Sequence, residues 1–214
     1  MVAHILSTNC AVPQPDPGGA DRVSGIEKKP VEFLEISAPG PHYGDGSGVK
    51  GDVIGDTKHH GGADKAVYAF ESEELAYWEE RLGRPCPPGS FGENLTLSGI
   101  DASTLVINQE LECGSTRLQV SVPRTPCRTF AGWMGVPGWL ALFTEHGRAG
   151  SYFRVLRPGV IRPGDQLILG DAPSHGITMG MAFRAKMGDR ECARAVVEAN
   201  CLPTLHHEQL QRRL

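Results

Sequence analysis

Glycine and proline constrain the fold of this chain more than any other feature of its sequence. The 214 residues include 27 glycines and 16 prolines, a combined share well above the roughly 12% usual in soluble proteins. These residues are spread along the chain without a repeat, so they leave only short segments for regular structure. Frequent turns between short segments predict an irregular body that is mainly β-structure.

The apolar runs between these turns predict the strands. Runs are found at residues 2–8, 31–36, 66–70, 104–107, 110–113, 116–122, 152–156 and 166–169. So many short strands separated by turn signals favour a closed or strongly curled antiparallel sheet, which is a β-barrel-like fold. Two helices are expected among them, one at residues 72–82 before Gly83 and a brief one at residues 139–143 before Gly147.

The pattern changes near residue 175. Residues 177–186, 190–199 and 204–213 are three helix-length segments, and Asp189 is well placed to cap the second. We therefore predict two domains. A β-barrel-like domain would cover residues 1–174, and a small three-helix domain would cover residues 175–214.

Charge and cysteine spacing disfavour several classes of protein. A formal net charge of −4 gives no general basic face, so specific nucleic-acid binding is disfavoured. No window approaches the ~18 apolar residues of a membrane span, and the first residues lack the pattern of a signal peptide. The six cysteines include no C-x-x-C pair. We expect a cytoplasmic protein with free thiols that binds no membrane.

Cys127 lies in the segment SVPRTPCR, between Arg124 and Arg128 and after two prolines. Neighbouring guanidinium groups favour the thiolate, which attacks electrophiles and binds soft metals. Proline restricts the local backbone, so the thiol can be held in one direction. The alternative is a small buried hydrophobic residue, which is the usual role of a free cysteine and our expectation for the other five.

The densest polar cluster, GDTKHHGGADK at residues 55–65, leads into the strand expected at residues 66–70. Gly61 and Gly62 would let the backbone approach a ligand and present N–H groups to an anion. Lys65 and a protonated His59 or His60 would add positive charge. The cluster is either a cradle for a phosphate or another anion, or an ordinary glycine turn with solvated side chains.

A third cluster, FGENL at residues 91–95, contains two polar candidates. Asn94 both donates and accepts hydrogen bonds, as recognition of a heterocycle edge requires. Glu93 would donate or accept a proton if burial raised its pKa. The simpler interpretation is a tight loop between core residues. Arg154, in the strand expected at residues 152–156, is another candidate for anion binding, and surface charge is the alternative for it.

Taken in order, the segments HHGGADKAVY at residues 59–68, FGENL at residues 91–95 and PRTPC at residues 123–127 resemble the MOSC domain. That family is named for its homology to the C-terminal domain of molybdenum cofactor sulfurase. The three-helix tail resembles the YiiM-like branch of the family. The resemblance covers nearly the whole chain and implies a β-barrel-like fold that binds the molybdenum cofactor, a pterin dithiolene that carries a phosphate.

The resemblance also implies roles for individual residues. By position, Cys127 is the family's cysteine, which ligates molybdenum or carries sulfur, and soft thiolate sulfur suits a metal held by dithiolene. Glu93 or one of the paired histidines is the expected proton source. The expected cofactor-binding residues are His59, His60, Gly61, Gly62, Lys65, Asn94, Arg124 and Arg154. Residues 38–50 are longer than the family pattern and would reshape the substrate mouth.

The function that this resemblance implies is reduction of N-hydroxylated small molecules, such as hydroxylaminopurine-type bases and amidoximes. A separate flavin or iron–sulfur protein would donate the electrons. The alternative is a sulfur carrier or cofactor-binding module that holds sulfur on Cys127 without turnover. A metal-dependent hydrolase using His59 or His60 ranks last, because no third ligand follows at a recognisable spacing. The tail would serve docking or formation of a homodimer.

Overall fold

The computed structural model describes residues 2–214. Within them the strands are β1 (His4–Ala11), β2 (Gln14–Pro15), β3 (Val23–Ser24), β4 (Lys28–Val31), β5 (Leu34–Ile36), β6 (Val67–Glu71), β7 (Leu95–Ser98), β8 (Glu110–Cys113), β9 (Thr116–Val120), β10 (Ser151–Arg157), β11 (Gly159–Ile161) and β12 (Leu167–Leu169). The α-helices are α1 (Ser72–Leu82), α2 (Arg128–Met134), α3 (Trp139–His146), α4 (Met179–Met187), α5 (Arg190–Ala199) and α6 (Thr204–Gln211). Ala63–Lys65 and Ala102–Thr104 are short 3-10 turns.

Eight strands form one curled sheet in the order β12-β8-β9-β10-β6-β7-β1-β4. Its neighbours pair antiparallel except β6 and β7, which run parallel. His4 of β1 forms an isolated bridge with Gln166, and the Leu167 N–H donates to the Ala3 carbonyl at 2.9 Å. These contacts connect β1 to β12 across the curl, and they confirm the predicted β-barrel-like fold.

Two expected strands differ in the structure. The strand expected at residues 104–107 is wrong. Thr104 ends the 3-10 turn Ala102–Thr104, which the Asp101 carboxylate caps by accepting from the Ser103 N–H at 2.9 Å, and Val106 forms an isolated bridge with Thr178. The segment at residues 31–36 is divided, since β4 pairs with β1 whereas β5 pairs with β11. Both differences arise where a partner strand or a polar side chain overrides the local apolar pattern.

An aromatic cluster joins the first three helices to the sheet. Phe70 on β6 stacks on Phe91 with ring centroids 4.7 Å apart, and Trp78 on α1 contacts Trp139 on α3 at 4.6 Å. Phe130 on α2 is fully buried against the same rings. Burial of such side chains contributes roughly 1.5–3 kcal/mol each, so the cluster holds the start of α2 firmly in place.

Helices α4, α5 and α6 confirm the predicted three-helix tail. The Thr178 hydroxyl accepts from the Met181 N–H, and the Asp189 carboxylate accepts from the Cys192 N–H at 3.0 Å, so each caps its helix. The tail is bonded to the barrel, because the Ile107 N–H donates to the Ile177 carbonyl at 2.9 Å. The domain boundary after residue 174 stays a prediction.

Two other sequence expectations concern the whole chain. The six cysteines are free, so no disulfide joins them. No helix within residues 2–214 is long and apolar enough to cross a membrane.

Candidate functional site

Cys127 lies where the extended segment after β9 turns into α2. Its backbone is extended, and its carbonyl accepts a hydrogen bond from the Ala131 N–H at 3.0 Å, which begins the helix. The helix is anchored through Phe130 in the aromatic cluster. The Cys127 side chain is partly exposed and lines two cavities. Its position is therefore set by rigid elements on both sides.

The two cavities meet at Cys127. The inner cavity, of about 100 Å³, is lined by residues of the barrel and its loops. The outer cleft, of about 490 Å³, lies between the barrel and the C-terminal helices. Residues that line both are Arg22, Asp56, His60, Lys65, Cys127 and Thr129. Cys127 thus borders two neighbouring spaces, and the outer one is large enough for a small-molecule ligand.

Two cations of the barrel face this space without a carboxylate partner in residues 2–214. Arg124 is only 4% exposed and lies over the Phe130 ring, 3.8 Å from its centroid, while its guanidinium donates to the Phe91 carbonyl. Lys65 donates to the His59 carbonyl at 2.6 Å, and burial lowers its pKa to about 8. Cations that are buried, as Arg124 is, or partly buried, as Lys65 is, and that lack counterions indicate a site for an anionic ligand.

Arg22 differs from these two cations although it lines both cavities. Its guanidinium contacts Asp16 at 2.6 Å and Asp56 at 3.2 Å. The paired carboxylates neutralise it, so Arg22 braces the loop before β3 rather than offering a free charge.

His60 is partly buried and lines both cavities. Burial, and next the charge of Lys65, lower the pKa of His60 to about 3, so the imidazole is neutral at physiological pH. Its Nδ1 lies 3.5 Å from the Tyr152 hydroxyl. A neutral imidazole can exchange hydrogen bonds with a ligand, but it does not serve as a protonated acid here.

Tyr68 and Tyr152 supply aromatic surface to the inner cavity. Their ring centroids are 4.9 Å apart, and the Arg124 guanidinium lies 5.0 Å from the Tyr68 centroid. The Tyr68 hydroxyl donates to the Ala149 carbonyl at 2.9 Å. Burial raises the pKa of both hydroxyls, that of Tyr152 to about 12, so both rings stay neutral. Such faces suit a planar heterocycle.

Asn94 lines the inner cavity, but its amide already has protein partners. The oxygen accepts from the Tyr68 N–H at 3.2 Å, and the nitrogen donates to the Asp52 carboxylate at 3.0 Å. Asp52 also forms a buried ion pair with Lys28. Asn94, Asp52 and Lys28 therefore form a bonded polar group that lines the inner cavity. Neither Lys28 nor Asp52 was predicted from the sequence, since both come from segments that carry no motif.

Glu93 differs from its expected role as a proton donor. Its carboxylate is fully buried and accepts from the Phe91 N–H and from the Thr96 hydroxyl, each at 3.0 Å. Burial raises the pKa of Glu93 to about 7, as expected for a buried acid. The side chain lines neither cavity. It braces the loop before β7, and it has no contact with the site through which to pass a proton.

The glycine pair also differs from its expected role. Gly61 and Gly62 line neither cavity. The Gly62 N–H donates to the Gly46 carbonyl at 2.9 Å, and a Cβ added at Gly62, where φ is 74°, would lie 2.1 Å from the His42 carbonyl oxygen. The pair therefore lets two loops approach closely, and it is not an anion cradle.

Arg154 is placed outside both cavities. Its guanidinium donates to Asp64 at 2.7 Å, to Asn108 at 3.0 Å and to Gln119 at 2.8 Å. With its charge paired and three of its five N–H donors used, Arg154 holds β10 to its neighbours. It is not positioned to bind the cofactor.

His59 lies at the rim of the outer cleft with its side chain 71% exposed, and its Nδ1 is 3.0 Å from Asp56. His59 and His60 therefore face different surroundings, as expected for neighbours in sequence. Across residues 2–214, no group of three His, Cys, Asp or Glu side chains is arranged to hold a metal ion. The arrangement gives no support to a hydrolase built on the histidine pair.

The C-terminal helices supply the wall of the outer cleft opposite the barrel. Lys186 on α4, His206 on α6 and Arg213 line this wall. His206 Nε2 lies 2.6 Å from the Tyr43 hydroxyl, and Lys186 is hydrogen-bonded to His206 Nδ1. These residues were not predicted from the sequence, because the helices carry no local motif and only their docking brings them into the cleft that Cys127 lines.

A comparison with protein families identifies the class of protein. The model of the MOSC domain matches residues 56–168, which is more than half of the chain and includes His60, Lys65, Arg124 and Cys127. The chain belongs to the MOSC domain family.

The curated relatives place the chain more narrowly. The uncharacterised protein YflK of Bacillus subtilis is 33% identical over 90% of this chain and 84% of its own length. Protein YiiM of Escherichia coli is 28% identical over 63% of the chain, which spans 62% of that protein. A protein named reductase from Gibberella moniliformis is 31% identical over 75% of the chain, which spans only 31% of that longer protein.

Solved structures agree with this placement. The crystal structure of YiiM from Geobacillus stearothermophilus is 29% identical, covers 99% of both chains and has a TM-score of 0.79. The Escherichia coli YiiM structure is 22% identical with a TM-score of 0.69 over 86% of this chain and 87% of that one, and shows the shared fold. The chain is thus a YiiM-like member of the family, and the likeness extends over the C-terminal helices.

Proposed function

We propose that the protein binds the molybdenum cofactor beside Cys127 and reduces N-hydroxylated small molecules. The observation that carries this proposal is the position of the thiol, which lies where the two cavities meet and is surrounded by cations without counterions. Membership of the MOSC family supports a relation to the molybdenum cofactor.

The residues of the site fit such a cofactor. Lys65 and Arg124 on the barrel, with Arg213 just after α6, are the cations that would hold its anionic groups. Tyr68 and Tyr152 offer ring faces to a pterin. Cys127 offers the soft sulfur that molybdenum accepts. When bound, the cofactor supplies two-electron chemistry and an acceptor for oxygen.

The chain's own groups have separate tasks in this scheme. Cys127 would ligate the metal, and its fixed backbone would set the direction of that bond. Lys65, with its pKa near 8, stays largely protonated at pH 7 and keeps its charge towards the cavities. Neutral His60 would orient a bound group through a hydrogen bond. The C-terminal helices would limit the entry of water to the outer cleft.

The net reaction removes the oxygen of an N–O group. One hydroxylamine takes up two electrons and two protons and yields one amine and one water. We propose that a separate flavin or iron–sulfur protein supplies the electrons. A hydroxylaminopurine-type base or an amidoxime is the proposed substrate class, since both are small and planar at the reacting nitrogen.

The test is made on protein purified from a host that makes the cofactor. We expect about equimolar molybdenum and pterin by elemental and mass analysis. We also expect reduction of a hydroxylaminopurine base with a chemical electron donor such as reduced viologen. Protein that folds normally but contains neither molybdenum nor pterin would contradict the proposal.

The second candidate is a sulfur carrier, which the partial exposure of Cys127 at a wide cleft favours. Such a protein would hold a persulfide on Cys127 and would show no reduction. Intact-mass measurement separates the two: an adduct of one sulfur atom on inactive protein indicates the carrier, and turnover with bound molybdenum indicates the reductase. The chain would receive its sulfur from another protein.

A further inference from the structure

Three side chains form a hydrogen-bonded chain across the outer cleft. Lys186 on α4 is bonded to Nδ1 of His206 on α6, and Nε2 of that ring lies 2.6 Å from the Tyr43 hydroxyl. All three line the cleft that Cys127 also lines. The chain thus runs from the helical tail to the loop at residues 38–50, and the proposed cofactor site does not account for it.

His206 can pass a proton only by changing its tautomer. The residue is 4% exposed, and burial, followed by the charges of Lys186 and Lys65, lowers its pKa to about 2. A neutral imidazole has one donor and one acceptor nitrogen. If Lys186 is charged, it donates to Nδ1, and Nε2–H donates to Tyr43. If Lys186 is neutral, Nδ1–H donates to Lys186, and Tyr43 donates to Nε2.

Lys186 titrates in the range where this exchange is useful. Burial, then the charges of Lys65 and Arg213, lower its pKa to about 7. The other charged groups that act on the chain are Arg154, near His206, and Asp64, near Tyr43. Burial raises the pKa of Tyr43, so its hydroxyl stays protonated between transfers. A group with a pKa near the working pH gives up and regains a proton readily.

We propose that Lys186, His206 and Tyr43 form a proton relay that delivers protons from solvent to the outer cleft beside Cys127. The relay rests on the proposed reductase function, because reduction of an N–O group consumes two protons. In one cycle Lys186 Nζ–H gives its proton to His206 Nδ1, Nε2–H gives its proton to the Tyr43 oxygen, and the Tyr43 O–H proton passes to the substrate oxygen. Solvent then reprotonates Lys186. Before the second delivery the His206 ring returns to its starting tautomer, losing the Nδ1 proton to water and gaining one from water at Nε2. No atom of the relay is oxidised or reduced.

Tyr43 is the member of the relay that delivers the proton, and its ring has a separate contact. Lys65 Nζ lies 4.8 Å from the centroid of the Tyr43 ring. Tyr43→Phe removes the hydroxyl and keeps this ring, so the variant separates proton transfer from packing.

A contact that only docks the tail provides the matched control. The Asn108 side chain donates to the Cys201 carbonyl at 2.8 Å, joining the barrel to the tail outside both cavities. Asn108 has a φ of 66°, which glycine adopts without strain. Asn108→Gly therefore removes that hydrogen bond without straining the backbone. It also removes one acceptor of Arg154. A purely structural role for the relay residues would make their variants behave like this one.

The direct test follows the ring nitrogens of His206 by NMR in the purified full-length protein, labelled with ¹⁵N-histidine. His206→Gln identifies the signals. We expect the Nε2–H tautomer below about pH 7 and the Nδ1–H tautomer above it, with the midpoint set by Lys186. In Lys186→Met the switch should disappear. A tautomer that stays unchanged from pH 5.5 to 9 in the unmodified protein would overturn the relay.

The functional test uses the molybdenum-loaded protein. Tyr43→Phe and Lys186→Met should lower turnover by about 10- to 100-fold, and Lys186→Met should remove the dependence of turnover on a group titrating near pH 7. Asn108→Gly should lower the melting temperature while its turnover keeps the original pH profile. Turnover of Tyr43→Phe within twofold of the unmodified protein, with the same pH profile, would overturn the relay.

The two proposals fail in different ways. A fixed His206 tautomer in an active, molybdenum-containing enzyme would reject the relay alone. A tautomer switch in protein that lacks molybdenum and activity would reject the reductase, and with it the delivery to an N–O substrate, while the three residues would still exchange protons.

Discussion

The two walls of the outer cleft differ in how they are held. The barrel wall, which includes His59, His60, Lys65 and Cys127, lies beside β6 and at the anchored start of α2. Lys65 on this wall and Arg124 behind it in the inner cavity donate to backbone carbonyls, which do not move with a neighbouring side chain.

The helical wall, formed by Lys186, His206 and Arg213, contacts the barrel within the cleft through the bond between His206 and Tyr43. Lys186 on this wall has a pKa near 7, below the value of about 8 for Lys65 on the barrel wall. The difference teaches that the thiol is placed by rigid elements, while the charge and the protons opposite it depend on the docking of the tail.

We expect the largest effect from a substitution that removes the Cys127 thiol, the reactive group of the barrel wall. Cys127→Ser should abolish molybdenum retention and reduce turnover by more than ~100-fold, beyond the 10–100-fold typical of residues that only support a ligand. Elemental analysis and the reduction assay measure both. Cys10→Ser is the matched control, because Cys10 is also partly buried but lines neither cavity. Equal loss in both variants would contradict a special role for Cys127.

A residue behind the barrel wall should affect stability and not chemistry. Glu93→Gln places an amide where two backbone N–H groups need acceptors, so it should lower the free energy of unfolding by about 1–3 kcal/mol. Denaturant unfolding measures this loss. Turnover per folded molecule should stay within twofold, and a hundredfold loss of turnover in stable protein would restore Glu93 as a proton donor.

The free energy of unfolding should depend on pH with opposite signs through Lys186 on the helical wall and Glu93 behind the barrel wall. The pKa of Lys186 falls from 10.5 to about 7 on folding, so the unfolded chain binds more protons between these values. Its contribution to the free energy of unfolding therefore rises with pH across that window, by roughly 1–2 kcal/mol after allowance for partial exposure. Urea titrations of cofactor-free protein at pH 7 and 10 should show this rise, and Lys186→Met should remove it.

Glu93 gives the opposite dependence. Its pKa rises from 4.5 to about 7 on folding, so the folded protein binds more protons between these values. Its contribution to the free energy of unfolding therefore falls as the pH rises from 4.5 to 7. Glu93→Gln should flatten that part of the curve and leave the part above pH 7 unchanged. Curves with the same sign in both windows would contradict the contrast between the regions.

A smaller effect is expected from one charge of the helical wall. Arg213→Gln should weaken cofactor retention by about 3- to 10-fold, and the loss should shrink at high salt. The neighbouring Arg212 pairs with Glu208 and does not line the cleft, so Arg212→Gln is the control. Retention measured by dialysis and molybdenum analysis should distinguish the two, and identical retention would mean that the helical wall does not contact the anion.

The smallest effect is expected at the rim. His59→Ala removes an exposed ring whose contact with Asp56 is open to solvent, and such surface pairs contribute about 0–1 kcal/mol. Turnover and stability should stay within twofold and about 1 kcal/mol of the unmodified protein. A large loss of turnover would contradict this prediction and show that His59 takes part in binding or catalysis.

Most of the sheet was predictable because its strands are short and bounded by strong turn residues. β8 lies at the residues that the alternation predicted, and α1 ends at Gly83, which adopts a left-handed conformation. Helix α2 was not predicted. It has seven residues, follows two prolines and contains Gly132, which disfavours a helix. That glycine is there because a Cβ would lie 2.1 Å from the Pro17 carbonyl oxygen, a contact that exists only in the folded protein.

The candidate site was predictable in part for a similar reason. The motif residues Lys65, Arg124 and Cys127 all line the cavities, whereas Glu93 of the FGENL motif and Arg154 of β10 do not. A motif records that residues recur together, but it does not tell whether a polar side chain faces a ligand or the protein's own backbone. That choice depends on the hydrogen-bond partners that folding supplies.

The sequence by itself determined the family, the barrel of short strands, the three-helix tail and the cysteine on which the site is built, because local turn chemistry and motif order carry that information. Only the tertiary structure decided which polar residues face the cavities. Only it placed Lys186, His206 and Arg213 opposite Cys127, since burial, pKa and hydrogen-bond partners are set by contacts between segments that lie far apart in the chain.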